Sequence, residues 1–287
     1  MMALPALTGL LLFLAAPFVV AIVLSFSNER LGSPLPTKWI GLQNYTRLFS
    51  DAYFLRALLN NGLFALIVVP VQTCLALLLA SLLNAPLRGM AVFRSCFFLP
   101  VVYPMALVAV IWQMIYAPGP DALANTLLTT LSFGAWQPGI DEGVLQSPLL
   151  AMPAILVLSI WQGLGFQTII LLAGLQAIPL SLYEAARMDR AGWWQRFWHV
   201  TVPGLRNPLI FTALVTTILA FRLFDQVQIL TDGGPAQATT TVIHQAVRTA
   251  FDLQQIGLAS AMTVIFFCIV CVIALVQHLL LKQERSR

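Results

Sequence analysis

Ser181–Pro203 reads SLYEAARMDRAGWWQRFWHVTVP, the longest polar interruption with repeating helical character in a very apolar chain. Its first part predicts a short helix. Ser181 stands at a capping position with Glu184 three residues on, where a carboxylate can reach back to the free N–H, as in a capping box. Ala185, Ala186 and Ala191 favour helix and leave a smooth face that another surface can approach closely. Gly192 is placed to end that helix, since glycine turns there without strain. A second short helix is predicted from Trp193, with Trp194, Phe197 and Trp198 on one face at helical spacing. Arg196 and His199 lie off that face, and Pro203 closes the segment.

Outward from this stretch the chain turns apolar. Of 287 residues, 59% are hydrophobic and 9% charged, against about a quarter charged in a soluble domain. The expected class is therefore an integral, all-α membrane protein. A span needs about 20 mostly apolar residues, and six stretches qualify: 3–26, 58–83, 97–116, 149–172, 208–230 and 256–281. Pro100 and Pro104 would kink the third, which neighbouring helices can tolerate. The apolar N-terminus lacks a basic leader and a small-residue cleavage site, and reads as a retained first span.

Basic residues in short loops set the orientation. Arg88 and Arg94 flank one loop, Arg187, Arg190, Arg196 and Arg206 lie around the 181–203 stretch, and Lys282, Arg285 and Arg287 end the chain. In a six-span topology all three regions fall on one side. The 117–148 loop carries Asp121, Asp141 and Glu142 without Lys or Arg, and falls on the other. Both termini are thus expected in the cytoplasm. Arg30, Lys38, Arg47 and Arg56 dissent, but they are spread over a longer outer loop in which Tyr45, Leu48 and Phe49 suggest a short amphipathic turn.

Several functions find no support in these residues. Cys268 and Cys271 have CxxC spacing without a nearby partner and read as apolar filler, so no metal site is expected. His199, His244 and His278 are scattered over different segments, which argues against a catalytic cluster. No basic run suggests nucleic acid, and no glycine-rich phosphate loop followed by Lys-Ser or Lys-Thr is present, so ATP hydrolysis by this chain is not expected. An ionisable residue inside a span is a functional candidate. Arg222 and Asp225, three residues apart in the fifth predicted span, would share a helix face. They read either as lining a solute path or as an ion pair that fixes helix register.

The 181–203 stretch resembles the EAA loop of bacterial ABC-importer permeases. The family pattern is Glu-Ala-Ala, three residues, Gly, nine residues, then aliphatic, any residue, aliphatic and Pro. Glu184, Ala185, Ala186, Val200, Val202 and Pro203 match, whereas Arg190 stands where the family usually has Gly and Gly192 lies two residues later. The outer segment Thr231-Asp232-Gly233-Gly234-Pro235, then Ala238-Thr239, Ala250-Phe251 and Gly257 to Ala261, is similar to the sugar-type branch, as is the Gly41-Leu42-Gln43-Asn44-Tyr45 wording near the N-terminus.

What the resemblance implies is a type I importer permease, a single transmembrane domain over 1–287 with a cytoplasmic coupling loop between spans four and five. Glu184, Ala185, Ala186, Asp189, Gly192 and Pro203 would couple to an ATPase subunit. Thr217, Ala220, Phe221, Phe224, Gly163 and Phe166 would face a sugar, with Trp161 and Gln162 beside them and Arg222 and Asp225 near its outer part. Gly233, Gly234 and Pro235 would meet a binding protein. The implied partners are a second, usually different permease, two ATPase subunits that hold ATP and Mg, an extracytoplasmic solute-binding protein and the bilayer of the bacterial inner membrane. The implied cargo is a carbohydrate or polyol. A non-sugar solute such as a glycerol phosphodiester stays open, as does a stand-alone channel or secondary transporter.

Overall fold

The computed structural model describes residues 4–34, 36–84 and 89–283. Arg88, Arg285, Arg287 and the first residue of the predicted span 3–26 lie outside the described residues, as do the side chains of His278 and Lys282.

In chain order, α1 runs over residues 4–24 with one π turn at Leu11–Ala15. Then come α2 Gln43–Ser50, α3 Ala52–Leu83, α4 Met90–Val102, α5 Met105–Ile115 and α6 Leu123–Leu131. The second half holds α7 Ala151–Gln176, α8 Leu180–Met188, α9 Trp193–Gly204, α10 Arg206–Phe221, α11 Asp225–Leu230, α12 Val242–Phe251 and α13 Ile256–Gln283. Among the described residues the only β pairing is one bridge between Ser27 and Trp39. Four helices are long and apolar enough to cross a bilayer, and six crossings result if the bent pairs α4–α5 and α9–α10 each count as one.

One bend and one break correct two predicted spans. The third is two helices, α4 and α5, meeting at 99°. Pro100 is accommodated inside α4, and the break falls at Tyr103, which is extended (φ −80°, ψ 139°), as the residue before Pro104 tends to be. The fifth ends at Phe221, and the chain restarts as α11 at Asp225. The premise that Arg222 and Asp225 share a helix face therefore fails. The supposed loops are partly helical too, with α6 in 117–148 and α12 after the Gly-Gly-Pro turn.

α3 and α7 form the spine. The 32 residues of α3 extend about 48 Å at 1.5 Å per residue, well beyond the roughly 30 Å hydrocarbon core. Its start is capped by Asp51, whose carboxylate accepts from the Tyr53 N–H at 2.8 Å. Ala57, Ala65, Ala76 and Ala80 are buried along it, and such small residues let backbones approach closely where lipid supplies no hydrophobic drive. α7 uses glycine to the same end. A Cβ on Gly163 would lie 2.3 Å from the Gln72 amide of α3, one on Gly165 2.2 Å from the Phe97 carbonyl of α4, and one on Gly174 2.7 Å from the Pro208 ring of α10.

The interior divides into two apolar clusters. The larger joins Phe54, Phe64, Ile155, Leu158, Leu223, Val227 and Met262, among others, through the main body of the bundle. The smaller joins Ala76, Ala80 and Leu83 of α3 to Leu171, Leu172 and Leu175 of α7, together with Ile178 and Leu205. Tyr183 of α8 and Val200 of α9 pack against this second cluster, tying the 181–203 stretch to the ends of both spine helices.

Gly165→Leu is expected to destabilise the fold, because the obstacle is backbone and cannot rotate away. Overpacking of this kind costs about 1–3 kcal/mol, and should appear as a lower melting temperature and reduced monodisperse yield in fluorescence-detected gel filtration. At Gly62 an added Cβ meets nothing within 4 Å, so Gly62→Ala should leave both readouts unchanged or slightly improved.

Candidate functional site

A cavity of about 380 Å³ lies between α3, α7 and α10, closed on one side by the ends of α4 and α5 and on another by the break before α11. That volume is within the usual range for small-molecule sites. Gln72, Ser159, Gln162, Thr216 and Gln226 supply amides and hydroxyls to its lining, Arg222 and Asp225 a cation and an anion, and Phe64 and Phe166 aromatic rings. Gln226 Nε2 donates to Ser159 Oγ at 3.3 Å, and Ser159 Oγ donates to the Ile155 carbonyl at 2.7 Å. The Gln167 amide bonds Thr216 Oγ1 just behind the wall. Arg222 and Asp225 are both exposed, and among the described residues they form no ion pair with each other.

Of the residues assigned to a solute path by resemblance, Gln162, Gly163, Phe166, Ala220, Arg222 and Asp225 line this cavity. Thr217, Phe221, Phe224 and Trp161 do not. Thr217 accepts from Gln277 Nε2 of α13 at 2.9 Å, and Phe221 lies against Phe266 of the same helix, ring centroids 5.8 Å apart. Trp161 pairs with Trp112 at 5.4 Å on another face of α7. Phe224 sits half-buried at the break. The cause is helical phase: Thr216 and Ala220 share one face of α10, while Thr217 and Phe221 are turned about 100° away. Gln72, Ser159 and Thr216 were not singled out in the sequence. Their signal was polar side chains in apolar helices at spacings that converge once α3, α7 and α10 are packed.

The break itself is held from outside the membrane helices. Thr241 Oγ1 donates to the Leu223 carbonyl at 2.9 Å. Asn61 Oδ1 accepts from the Val242 N–H at 2.9 Å, and Asn60 Nδ2 donates to the Gln237 and Thr240 carbonyls at 3.2 and 2.9 Å. The Gly233-Gly234-Pro235 turn is thereby strapped to α3. His244 Nε2 pairs with Asp232 Oδ1 at 3.0 Å, and Gln228 Nε2 donates to the same oxygen at 3.1 Å. Gly233 has φ 79°, and a Cβ there would strike Thr240 Oγ1 at 2.7 Å, so the turn is shaped by close approach as well as by φ.

At the opposite end, α8 stands out from the bundle. Ser181 lies inside its first turn instead of capping it; Pro179 holds the cap position and no side chain closes the end. α8 stops at Met188, and Arg190 takes the left-handed conformation (φ 56°). The Ala191 N–H then bonds the Ala186 carbonyl at 2.9 Å and the Arg190 N–H the Arg187 carbonyl at 3.0 Å, a Schellman ending. Arg190 thus does what the glycine of the family pattern would do. Gly192 is extended (φ −65°, ψ 170°) and starts α9 instead, its N–H donating to Gln195 Oε1 at 2.9 Å. Pro203 lies within α9, and the chain bends by 67° at buried Leu205. Glu184, Ala185, Asp189, Gly192 and Pro203 are exposed and Ala186 half-buried. Leu180, Leu182 and Met188 are also exposed, so α8 presents apolar surface outward.

The chain is thus a helical bundle with several apolar crossings, a cavity with amides and hydroxyls in its lining, a strapped Gly-Gly-Pro turn at one end and a protruding short helix at the other. Residues 72–286 match the family described as binding-protein-dependent transport system inner membrane component, and the chain belongs to that family. It is 35% identical to a probable ABC transporter permease, YurN, of Bacillus subtilis, over 98% of this chain and 95% of that one. It is 33% identical to the trehalose/maltose transport system permease MalF of Thermococcus litoralis, over 94% and 88%. A solved bacterial ABC transporter for import of the acidic polysaccharide alginate contains a chain of the same fold, with TM-score 0.82 at 20% identity, covering 98% of this chain and 94% of that one. The protein is a permease of a binding-protein-dependent ABC importer and an inner membrane component.

Arg190→Gly is expected to relieve the left-handed strain and stabilise the end of α8 by about 1 kcal/mol. Amide exchange at Arg190 and Ala191 should slow by roughly fivefold, with transport retained.

Proposed function

We propose that the chain forms one half of the translocation path for a carbohydrate or related polyol, paired with a second, non-identical permease over two ATPase subunits that carry ATP and Mg. The observation that carries the reading is the cavity between α3, α7 and α10. Amides and hydroxyls there converge beside aromatic rings, the combination that holds sugar hydroxyls and the apolar face of a sugar ring. The names of relatives point the same way: trehalose/maltose, lactose and sulfoquinovosyl glycerol transport systems. One observation favours a second reading, an anionic solute: Arg222 lines the cavity without an ion-pair partner among the described residues, and a glycerol-3-phosphate permease is among the relatives.

In this reading both termini and α8 are cytoplasmic. Glu184, Ala185, Ala186 and Asp189 lie on a helix that a cleft of the ATPase grips, with Gly192 and Pro203 shaping α9 beyond it. ATP binding in the partner moves α8, and Tyr183, Ile178 and Leu205 pass that displacement into α7 and α10. The cavity then alternates its opening, and the difference in solute affinity between the two states sets direction. The Gly233-Gly234-Pro235 turn faces the solute-binding protein on the outer side.

Glu184→Lys and Ala185→Asp should leave the protein inserted and folded while transport in proteoliposomes of the complete importer falls at least tenfold and ATP hydrolysis no longer responds to the loaded binding protein. Normal coupled transport by both variants would refute the coupling role. Gln226→Leu, which removes a lining amide worth about 1 kcal/mol, should raise the transport KM roughly fivefold with ATPase docking unchanged. Competition by sugars, polyols and glycerol phosphodiesters separates the two solute readings, and flux through vesicles holding this chain alone would indicate a channel instead.

A further inference from the structure

A second cavity, of about 250 Å³, opens where α8 and α9 meet the ends of α3 and α7. Ser81 and Asn84 line it from the end of α3, Tyr183 and Arg187 from α8, and Arg196 and Thr201 from α9. Among the described residues no acidic side chain lines it. Neither arginine is in an ion pair among the described residues, although Glu184 lies one turn before Arg187. Arg196 Nε is buried and has no hydrogen-bond acceptor. The hydroxyls are poor substitutes: Tyr183 Oη and Thr201 Oγ1 bond each other at 3.0 Å, and Ser81 Oγ is turned to the Leu77 carbonyl at 2.8 Å. Two guanidinium groups therefore share a small polar cavity with no anionic side chain among the described residues to balance them.

The mouth is aromatic. Trp193 and Phe197 line the cavity, stacked with centroids 5.6 Å apart. Trp194 and Trp198 continue the cluster, packed edge-on at 5.7 Å. The three indoles are 62%, 61% and 50% exposed. Indoles concentrate at the boundary between hydrocarbon and water, and this group sits where α3 and α7 end.

We infer that this cavity binds the phosphate of an anionic phospholipid headgroup. Arg187 and Arg196 are its ligands, and the Trp193 face lies along the glycerol end of the chains. Guanidinium matches phosphate oxygens in a planar, two-pronged fashion that an ammonium cannot, and basic pockets between membrane helices on the cytoplasmic side take anionic headgroups. The indole cluster favours lipid over a carboxylate from a protein partner, because it places the cavity at the membrane boundary. A lipid seated there lies between α8 and α3, behind the helix assigned to coupling, and the inference holds whatever solute the importer carries.

The test is native mass spectrometry of the purified full-length chain, titrated with phosphatidylglycerol, with phosphatidylcholine of the same acyl chains, and with inorganic phosphate. The expected result is retention of one phosphatidylglycerol in preference to phosphatidylcholine. Combined Arg187→Gln and Arg196→Gln should weaken that retention roughly ten- to thirtyfold, with Arg196→Lys recovering part of it. Circular dichroism and monodisperse elution identify any variant that has merely unfolded, and the single Arg196→Gln variant, expected at about fivefold, stands in if the double one has. Equal retention by the parent and a folded glutamine variant overturns the inference. Inorganic phosphate binding through the same arginines without any preference between the two lipids overturns the lipid assignment. Arg196→Cys cross-linking to the ATPase in the assembled importer, together with no arginine-dependent lipid retention, assigns the pair to a protein partner and likewise overturns it.

Discussion

Lipid tails are as apolar as leucine, so helices in a bilayer are not pressed together by exclusion of water; they associate through close packing and polar contacts. In this permease the constraint falls on α7. Three of its glycines sit against three different neighbours, Gly163 against α3, Gly165 against the backbone of α4 and Gly174 against α10. At Gly165 the obstacle to a Cβ is backbone, at Gly174 the Pro208 ring and Leu205, and at Gly163 the Gln72 amide, which would have to move. The cavity depends on this spacing, because Gln162, Gly163 and Phe166 enter its lining from the same helix that Gly165 and Gly174 hold in place.

The same economy governs the broken helices. Irregular backbone at membrane depth is tolerated only where protein satisfies it or where it lines a cavity. The break after Phe221 meets both conditions: Thr241 bonds the Leu223 carbonyl, and Arg222, Leu223, Asp225 and Gln226 face the cavity. The polar character of the cavity and the interruption of the helix are thus one feature. Asn60 and Asn61, two adjacent amides in an apolar helix, are explained by it as well, since they strap down the segment that repairs the break.

How much of this was legible in the residues differs from place to place. Hydropathy located the membrane-crossing regions because apolar length is a one-dimensional property, and the 181–203 stretch stood out as a polar island at a definite spacing. The ends of α8 were not legible. Ser181 and Glu184 match a capping pattern that Pro179 pre-empts, and a left-handed Arg190 does the work that composition assigns to Gly192. The phase of α10 was also hidden. Thr217, Ala220, Phe221 and Phe224 look like one face only if the helix continues to residue 230. Its end at Phe221 and its packing on α13 leave three of the four, Thr217, Phe221 and Phe224, outside the cavity lining. Polar residues such as Gln72 and Thr216 carry no mark in the sequence that distinguishes a lining group from a helix-packing one until the helices are placed side by side.

α10 connects the two ends of the molecule. It is bounded below by the bend at Leu205 and above by the break at Arg222, which leaves a rod of 16 residues, about 24 Å long. Leu205 is fully buried in the smaller apolar cluster beside Ile178, and a Cβ on neighbouring Gly204 would lie 2.7 Å from Ile178 Cδ1. The lower joint is therefore tightly packed against the segment linking α7 to α8. The upper joint carries cavity residues and continues into α11, which is held as well: the Leu223 carbonyl accepts from Thr241 Oγ1, Gln226 Nε2 donates to Ser159 Oγ, and Val227 is fully buried. A rod packed at both joints joins the α8–α9 end of the bundle to Ala220, Arg222 and Asp225 at the cavity. Close-packed interiors have little room to absorb strain. The two interruptions that spoil α9–α11 as a single span set the length of that rod and place its ends at the smaller apolar cluster and at the cavity.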